Sequence, residues 1–259
     1  MNKHLKEVKM AKIISIANHK GGIGKTTSTI NIGAGLAAGE KKVLLIDLDP
    51  QANLTQSLGI NNPEITIYDN LRGESIVYPI EVRKNLYVIP STLDLSAAEI
   101  ELSSEPGREY ILKDIISKVS SKFDYILIDC PPSLGLLTIN ALTCSDFVYI
   151  PLAAEYLPLR GLAKLNQVIE KIQARLNPKL KIGCVFLTRY DHRKILNRDV
   201  AESVKDFFGS KLMETKISDN VALAEAPCHG KDIFHYNKKC KGAEDYASLC
   251  SELLQKKVA

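Results

Sequence analysis

The hydrophobic positions of this chain form short runs that do not alternate with polar residues. Five runs are almost continuously apolar, and a sixth is shorter; they cover residues 13–17, 43–48, 125–128, 147–152, 182–187 and, as the shorter one, 86–89. Strands that are apolar on both faces are typical of parallel sheets covered by helices on each side. The runs therefore predict buried strands of such a sheet.

Between these runs, apolar residues recur at helical spacing. Helices are predicted at residues 26–38, 67–71, 109–120, 134–142, 159–176, 199–208 and 242–255. Strands alternating with helices predict an α/β fold with a doubly wound, mostly parallel sheet and helices on both faces. Small residues on the first helix, such as Gly33 and Gly35, would let it lie close to the sheet. The polar, turn-rich residues 51–81 predict a surface excursion.

Composition agrees with one domain, at residues 11–259, after a charged N-terminal extension at residues 1–10. The net charge of +4 is too small to indicate nucleic acid by itself. None of the six cysteines forms a C-x-x-C pair, so zinc or dithiol chemistry is not expected. The extension lacks the apolar segment of a signal peptide, and no run reaches the roughly 20 residues that span a bilayer. A cytoplasmic protein is expected.

A glycine-rich turn lies between the first predicted strand and the first predicted helix. Residues 18–27 read Asn-His-Lys-Gly-Gly-Ile-Gly-Lys-Thr-Thr. Glycines let a backbone approach a ligand closely, and N–H groups at a helix start bind phosphate. Lys25 and Thr26 match the end of a P-loop, a phosphate-binding lysine before a hydroxyl that ligates Mg²⁺. His19 stands where the ordinary P-loop pattern has a glycine.

The string Lys-Gly-Gly-x-Gly-Lys-Thr, with its additional lysine at Lys20, resembles the deviant Walker A motif of the ParA/MinD ATPase family. Residues 43–51, Val-Leu-Leu-Ile-Asp-Leu-Asp-Pro-Gln, resemble that family's switch I. Residues 123–133, Phe-Asp-Tyr-Ile-Leu-Ile-Asp-Cys-Pro-Pro-Ser, resemble its Walker B strand followed by switch II. The resemblance implies a Mg²⁺-dependent ATPase that binds ATP or ADP and forms a homodimer on ATP.

Several site residues follow from this resemblance. Lys20 would reach the partner subunit's nucleotide, Lys25 would neutralise phosphate oxygens, and Asp49 would position or deprotonate the attacking water. Mg²⁺ would be held by Thr26 and, through water, by Asp129, with a water-mediated contact to Asp49 left open. Alternation along the strand points Asp47 and Asp49 the same way, although Asp47 alone equally fits a strand-end cap.

Late segments extend the resemblance. Residues 188–194 are similar to the family's nucleotide-base loop, and residues 219–230 place Pro227 against the adenine. The implied nucleotide contacts are Lys20, Gly21, Gly22, Ile23, Gly24, Lys25, Thr26, Thr27, Arg189 and Pro227.

The ParA branch binds double-stranded DNA nonspecifically as an ATP dimer, and a ParB-like adaptor stimulates its slow hydrolysis. Two positions that are often arginine in that branch are Asp219 and Ala222 here, and Asp219 would repel phosphate. Other cations could provide the DNA surface, although any one of them also fits an ordinary solvated face; they are Arg189, Arg193, Lys194, Arg198, Lys205 and Lys216.

The resemblance therefore predicts a DNA-partitioning ATPase associated with the nucleoid. The alternative is a MinD-like or other ParA-like ATPase that positions a membrane or protein cargo. Residues 253–259 offer little apolar surface, so no stable membrane association is expected. Cys130 has no evident second ligand for a shared iron–sulfur cluster, and about ten residues before the first strand are too few for a helix-turn-helix regulator.

Overall fold

A mostly parallel sheet forms the centre of the computed structural model, which describes residues 10–155 and 158–258, and the side chains of all of these except 158–162. Residues 1–9 of the predicted extension lie outside the described part. The strands are β1 (Lys12–Ile16), β2 (Val43–Asp47), β3 (Ile80–Arg83), β4 (Leu86–Ile89), β5 (Tyr125–Asp129), β6 (Phe147–Ala153) and β7 (Lys181–Thr188). Their order is β3-β4-β2-β5-β1-β6-β7, and only the β3–β4 pair is antiparallel.

Helices cover both faces of the sheet. They are α1 (Lys25–Ala38), α2 (Asn53–Ser57), α3 (Ile67–Leu71), α4 (Ala98–Glu101), α5 (Ile111–Ser117), α6 (Leu136–Cys144), α7 (Pro158–Arg175), α8 (Ile195–Phe208), α9 (Val221–Glu225), α10 (Ile233–Asn237) and α11 (Lys241–Gln255). Along β2, Leu44 and Ile46 pack into one apolar cluster, with α3, α5, α6, α7 and α8. Val43 and Leu45 pack into the other, with α1, α2, α10 and α11. The predicted doubly wound α/β fold is confirmed.

The first helix lies against the sheet because its glycines leave no room for a side chain. A Cβ on Gly33 would lie 2.6 Å from Cδ2 of Leu45, and one on Gly35 would lie 2.6 Å from Sγ of Cys250. Contacts this short exclude even alanine unless the neighbour moves. The expected close packing of this helix is therefore present, and it fixes the direction in which the glycine-rich turn meets the sheet.

The predicted strands all occur, with ends shifted by no more than one residue. The prediction of a surface excursion at residues 51–81 was wrong for its first part, because α2 packs against the core and buries Leu54 and Thr55. The antiparallel strand β3 was also missed. Helix α8 begins at Ile195, four residues before the predicted start at Asp199. Within the described residues, no helix combines the length and apolar character needed to cross a membrane.

Candidate nucleotide site

The glycine-rich turn connects β1, in the middle of the sheet, to the first residue of α1. Gly22 and Gly24 have φ angles of 70° and 85°, in the left-handed region that glycine adopts readily. Nothing lies within 4 Å of a Cβ built on Gly21 or Gly22, so the turn borders open space. Its far side is held to β7, where the Thr188 hydroxyl donates a hydrogen bond to the Ile23 carbonyl over 2.8 Å. The result is a fixed turn with an open outer surface.

Lys25, the first residue of α1, folds back over this turn. Its side chain is buried, and Nζ donates to the Lys20 carbonyl oxygen at 3.0 Å. Burial lowers the pKa of Lys25, while the nearby carboxylates Asp129 and Asp49 act in the opposite direction. A lysine held in this way presents its charge to the inside of the loop.

Thr26 and Asp129 bring together, at the end of β5, two side chains whose oxygen atoms can ligate a metal ion. The Thr26 hydroxyl donates to Oδ2 of Asp129 over 2.6 Å, and the Thr29 hydroxyl contacts Oδ1 at 3.3 Å. Asp129 is buried, and burial together with the charge of Asp47 raises its pKa to about 8. A hydroxyl beside a carboxylate is a donor set that suits Mg²⁺, and a cation there would favour the ionised carboxylate.

Asp47 and Asp49 lie at the neighbouring strand end. Asp47 is the register partner of Asp129 across the β2–β5 pair, and burial raises its pKa to about 6. Its Oδ2 accepts hydrogen bonds from the Thr55 hydroxyl at 2.6 Å and the Thr55 amide at 2.9 Å. Asp49 is buried, and its Oδ1 accepts a hydrogen bond from the Gln51 amide at 2.9 Å. Asp47 thus has fixed hydrogen-bond partners in α2, which agrees with the interpretation that it caps the end of its strand.

Lys20 lies on the surface of its own chain, and its ammonium group pairs with a carboxylate. Its Nζ lies 3.1 Å from Oε2 of Glu155, and Nη1 of Arg189 lies 3.3 Å from the other oxygen of the same carboxylate. The Lys20 and Glu155 side chains are about half exposed, so this is a solvated bridge of small energetic weight. The three residues join the glycine-rich turn, the end of β6 and the end of β7.

A cavity of about 290 Å³ lies beside the turn, between the end of β7 and α9. Four of the predicted nucleotide contacts, Gly22, Gly24, Thr27 and Arg189, line it together with Asp219. Pro227 is absent from its lining and lies at the start of a short 3₁₀ helix. Sequence reasoning missed other lining residues, namely Thr188, Ile217, Ser218, Asn220, Leu223, Ala224 and Tyr246. They come from three distant segments. Thr188 lies in the stretch 188–194, and Asn220, Leu223 and Ala224 lie in the stretch 219–230, so the family resemblance marked both segments without singling out these residues.

The cations proposed for DNA lie in the segment from the end of β7 through α8 to Lys216. The Arg193 side chain donates two hydrogen bonds to the Asp191 carboxylate, from Nε over 2.9 Å and from Nη2 over 2.8 Å, and these lower the pKa of Asp191. Nζ of Lys216 lies 4.5 Å from the centre of the Tyr190 ring. Lys194 and Lys205 are exposed and form no ion pair among the described residues. Some of these cations are therefore matched within the chain, and others face solvent.

Comparison with known proteins places this geometry in a family. Residues 11–182 match the AAA_31 family model, described as an AAA domain. The chain is 45% identical, over 95% of its length and 98% of the relative's, to the chromosome-partitioning ATPase Soj of Treponema pallidum. It is 48% identical, over 94% of its length and 98% of the relative's, to the sporulation initiation inhibitor protein Soj of Bacillus subtilis.

Among solved structures, cobyrinic acid a,c-diamide synthase from Mycobacterium smegmatis, with bound ADP and magnesium, superposes with a TM-score of 0.84. Its sequence is 34% identical, and the match covers 95% of both chains. The glycine-rich turn, the additional lysine and the strand-end aspartates thus occur in a chain that aligns with these proteins over 94–95% of its length. This chain belongs to the ParA/Soj family of P-loop ATPases.

Proposed function

We propose that this protein is a chromosome-partitioning ATPase that uses ATP and Mg²⁺ to form a DNA-binding homodimer. The observation that supports it best is the convergence of Lys25, Thr26, Asp129 and Asp49 around the open turn after β1. The two Soj relatives, at 45% and 48% identity, match more closely than the 34% identical synthase. The relative from Treponema pallidum is named a chromosome-partitioning ATPase, which favours partitioning over a biosynthetic reaction.

The residues of the site fit the parts of a phosphoryl-transfer centre. The turn from Gly21 to Thr27 would surround the phosphates, and Lys25 would neutralise the β- and γ-oxygens from within the same chain. Thr26 and, through water, Asp129 would hold Mg²⁺, which neutralises the charge that develops on the phosphates. Asp49 would orient the attacking water or accept its proton, and Arg189 and Thr27 would border the nucleotide.

Lys20 supplies the argument for a dimer. Lys25 already occupies the inside of the turn, whereas Lys20 lies outside it on an exposed and weak bridge to Glu155. Release of that bridge costs little, and the freed ammonium could reach the phosphates of a second copy. A charge supplied from outside stabilises the transition state as an arginine finger does, so the monomer should hydrolyse ATP slowly.

DNA binding and adaptor stimulation complete the proposal. Lys194, immediately before α8, and Arg198 and Lys205, within it, are exposed and could contact the phosphate backbone. Arg189, Arg193 and Lys216 have partners within the chain and would contribute where those contacts open. A ParB-like adaptor would then raise the rate of hydrolysis, and the protein would associate with the nucleoid. A MinD-like role at a membrane or on a protein cargo remains the alternative.

The proposal is tested by sedimentation-velocity and hydrolysis measurements on the full chain with ATP or ADP and Mg²⁺. The parent protein should be a dimer with ATP and a monomer with ADP. Lys20→Ala should bind ATP but stay monomeric, and lose about tenfold or more of its dimer-dependent turnover, since a transferred charge contributes that much or more. Lys122→Ala, an exposed lysine in a short helix before β5, serves as the matched control.

Two outcomes would contradict the proposal. Full dimerisation and turnover of Lys20→Ala would remove the role of this lysine. No ATP-dependent binding to random duplex DNA at low salt would remove the DNA-binding part, because nonspecific binding is strongest there. Vesicle sedimentation with ATP distinguishes the proposal from the MinD-like alternative, since binding to anionic vesicles and not to DNA would favour a membrane cargo.

A further inference from the structure

A buried chain of hydrogen bonds joins Asp49 to two hydroxyl residues that lie outside the glycine-rich turn. Ser91 follows β4 by two residues, and Thr55 lies in α2. The exposed fractions of Ser91, Thr55 and Asp47 are 1%, 2% and 0%. None of the three belongs to the set that the family resemblance marks as nucleotide contacts. Their burial means that each hydrogen bond is shielded from water and that a lost partner would leave a buried polar group unsatisfied.

The hydrogen bonds run in one continuous order. The Ser91 hydroxyl donates to the backbone carbonyl of Asp49 over 2.9 Å, and the Ser91 amide donates to the Thr55 hydroxyl oxygen over 2.9 Å. The Thr55 hydroxyl donates to Oδ2 of Asp47 over 2.6 Å. Oδ1 of Asp47 in turn accepts from the Asp49 amide at 3.3 Å. These hydrogen bonds thus form a closed ring that begins at the Asp49 carbonyl and ends at the Asp49 amide.

This closed ring holds the amide and the carbonyl of Asp49. The Asp49 carboxylate has a separate hydrogen bond, from the Gln51 amide. The Asp49 carbonyl also accepts from the Ala52 amide at 2.9 Å, and Ala52 has a φ angle of 53°, in the left-handed region that non-glycine residues rarely adopt. A strained residue persists where its surroundings hold it in place. The backbone after β2 is therefore held by side chains from β2, α2 and the segment after β4.

We propose that Ser91 and Thr55 are positioning residues for hydrolysis, fixing the backbone of Asp49 so that its carboxylate meets the attacking water. The inference rests on the role proposed above for Asp49. Among the described residues, neither hydroxyl forms a hydrogen bond with the glycine-rich turn, Lys25, Thr26 or Asp129, so nucleotide binding should not depend on them. Their removal should lower the rate of the chemical step and leave ATP affinity nearly unchanged.

Steady-state hydrolysis and calorimetric ATP affinity of the full chain test this separation. Ser91→Ala removes only the hydroxyl and should lower kcat by about tenfold or more, because small misplacements of catalytic groups have effects of that size. The Kd for ATP should stay within about twofold of the parent value. Ser120→Ala is the matched control, since Ser120 is equally buried, at 1% exposure, but precedes the amino end of the central strand β5, whereas Ser91 follows the carboxyl end of β4.

A second pair of variants separates positioning from general damage to the fold. Thr55→Ser keeps the hydroxyl that links Ser91 to Asp47 and should keep most of the parent kcat. Thr55→Val keeps the branched shape without the hydroxyl and should lose activity as Ser91→Ala does. Thermal unfolding of every variant is recorded, and if Ser91→Ala does not fold, the Thr55 pair decides the question.

The results that overturn the proposal differ from those that overturn the proposed function. Retention of kcat in both Ser91→Ala and Thr55→Val, with activity lost in Asp49→Ala, would show that the ring does not position Asp49. A parallel loss of ATP affinity in Ser91→Ala would assign the hydroxyl to the integrity of the whole site. Full turnover in Asp49→Ala, or no ATP binding by the parent, would instead reject the role of the site itself.

Discussion

The turn after β1 and the cationic segment around α8 are both proposed to bind phosphate, yet they are built in opposite ways. At the turn, Lys25 and the neighbouring Asp129 at the end of β5 are buried, and each has a hydrogen-bond partner within the site. Around α8, Lys194 and Lys205 are exposed, and Arg193 is matched by Asp191. A buried charge has a large effect because water does not screen it, whereas an exposed charge acts weakly and through its neighbours. Phosphate binding at the turn should therefore depend strongly on single residues, whereas binding around α8 should depend on the combined charge of several residues.

The largest effect is expected for the buried lysine. Lys25→Gln keeps a side chain of similar length and a donor for the Lys20 carbonyl but removes the positive charge. We expect the ATP affinity to fall by about a hundredfold, because a charge-assisted contact to phosphate is lost in a site shielded from water. Isothermal titration calorimetry with Mg²⁺ measures the change, and Lys122→Ala is the exposed control. An affinity within about threefold of the parent would show that this charge does not contact the nucleotide.

A smaller effect is expected from the buried carboxyl group at the end of β5. The pKa of Asp129 is raised from its ordinary value of 3.8 to about 8, so the folded protein without nucleotide binds a proton that the unfolded chain releases. Stability should therefore fall as the pH rises from about 4 to about 8, by up to about 1.4 kcal/mol per pH unit. Asp47, with a pKa raised to about 6, should add to the lower part of this slope.

Urea unfolding of the nucleotide-free protein at several pH values measures this slope. Asp129→Asn should flatten the slope and gain stability relative to the parent at the upper end of the range, because it cannot ionise. Asp114→Asn, a change at an exposed position in α5, should leave the slope unchanged. Equal slopes in the parent and Asp129→Asn would mean that this carboxyl group is ionised in the folded protein throughout the range.

The smallest effects are expected on the exposed side of the comparison. Lys194→Ala and Lys205→Ala should each weaken binding of the ATP-bound protein to random duplex DNA by about two- to threefold at moderate salt, with little preference for sequence. The double variant should reduce the slope of log affinity against log salt by about two, since each contact with phosphate contributes close to one. Fluorescence anisotropy over a salt series measures both quantities. An unchanged salt slope would place the DNA surface elsewhere.

Much of the fold was predictable because its signals are local. A strand that is covered on both faces must be apolar throughout, so β2 and β5 are visible as runs, and their carboxyl ends point to Asp47, Asp49 and Asp129. The turn at residues 18–27 is equally local, since its glycines and lysines are consecutive. Strand β3 was missed because it has only four residues, two of them charged, and pairs only with the neighbouring strand β4 among the described strands. Helix α2 was missed because it is short and partly polar and is held by distant residues such as Ser91.

The local sequence is enough to place a P-loop between a buried strand and a tightly packed helix, because the glycines, lysines and threonines of the loop lie in one continuous stretch of the chain. Only the folded chain decides that Lys20 meets Glu155, 135 positions away, and that Ser91 holds Asp49, 42 positions away. Such pairs have no shared periodicity or spacing. The strand order brings them together, and the hydrogen bonds form because buried polar groups require partners.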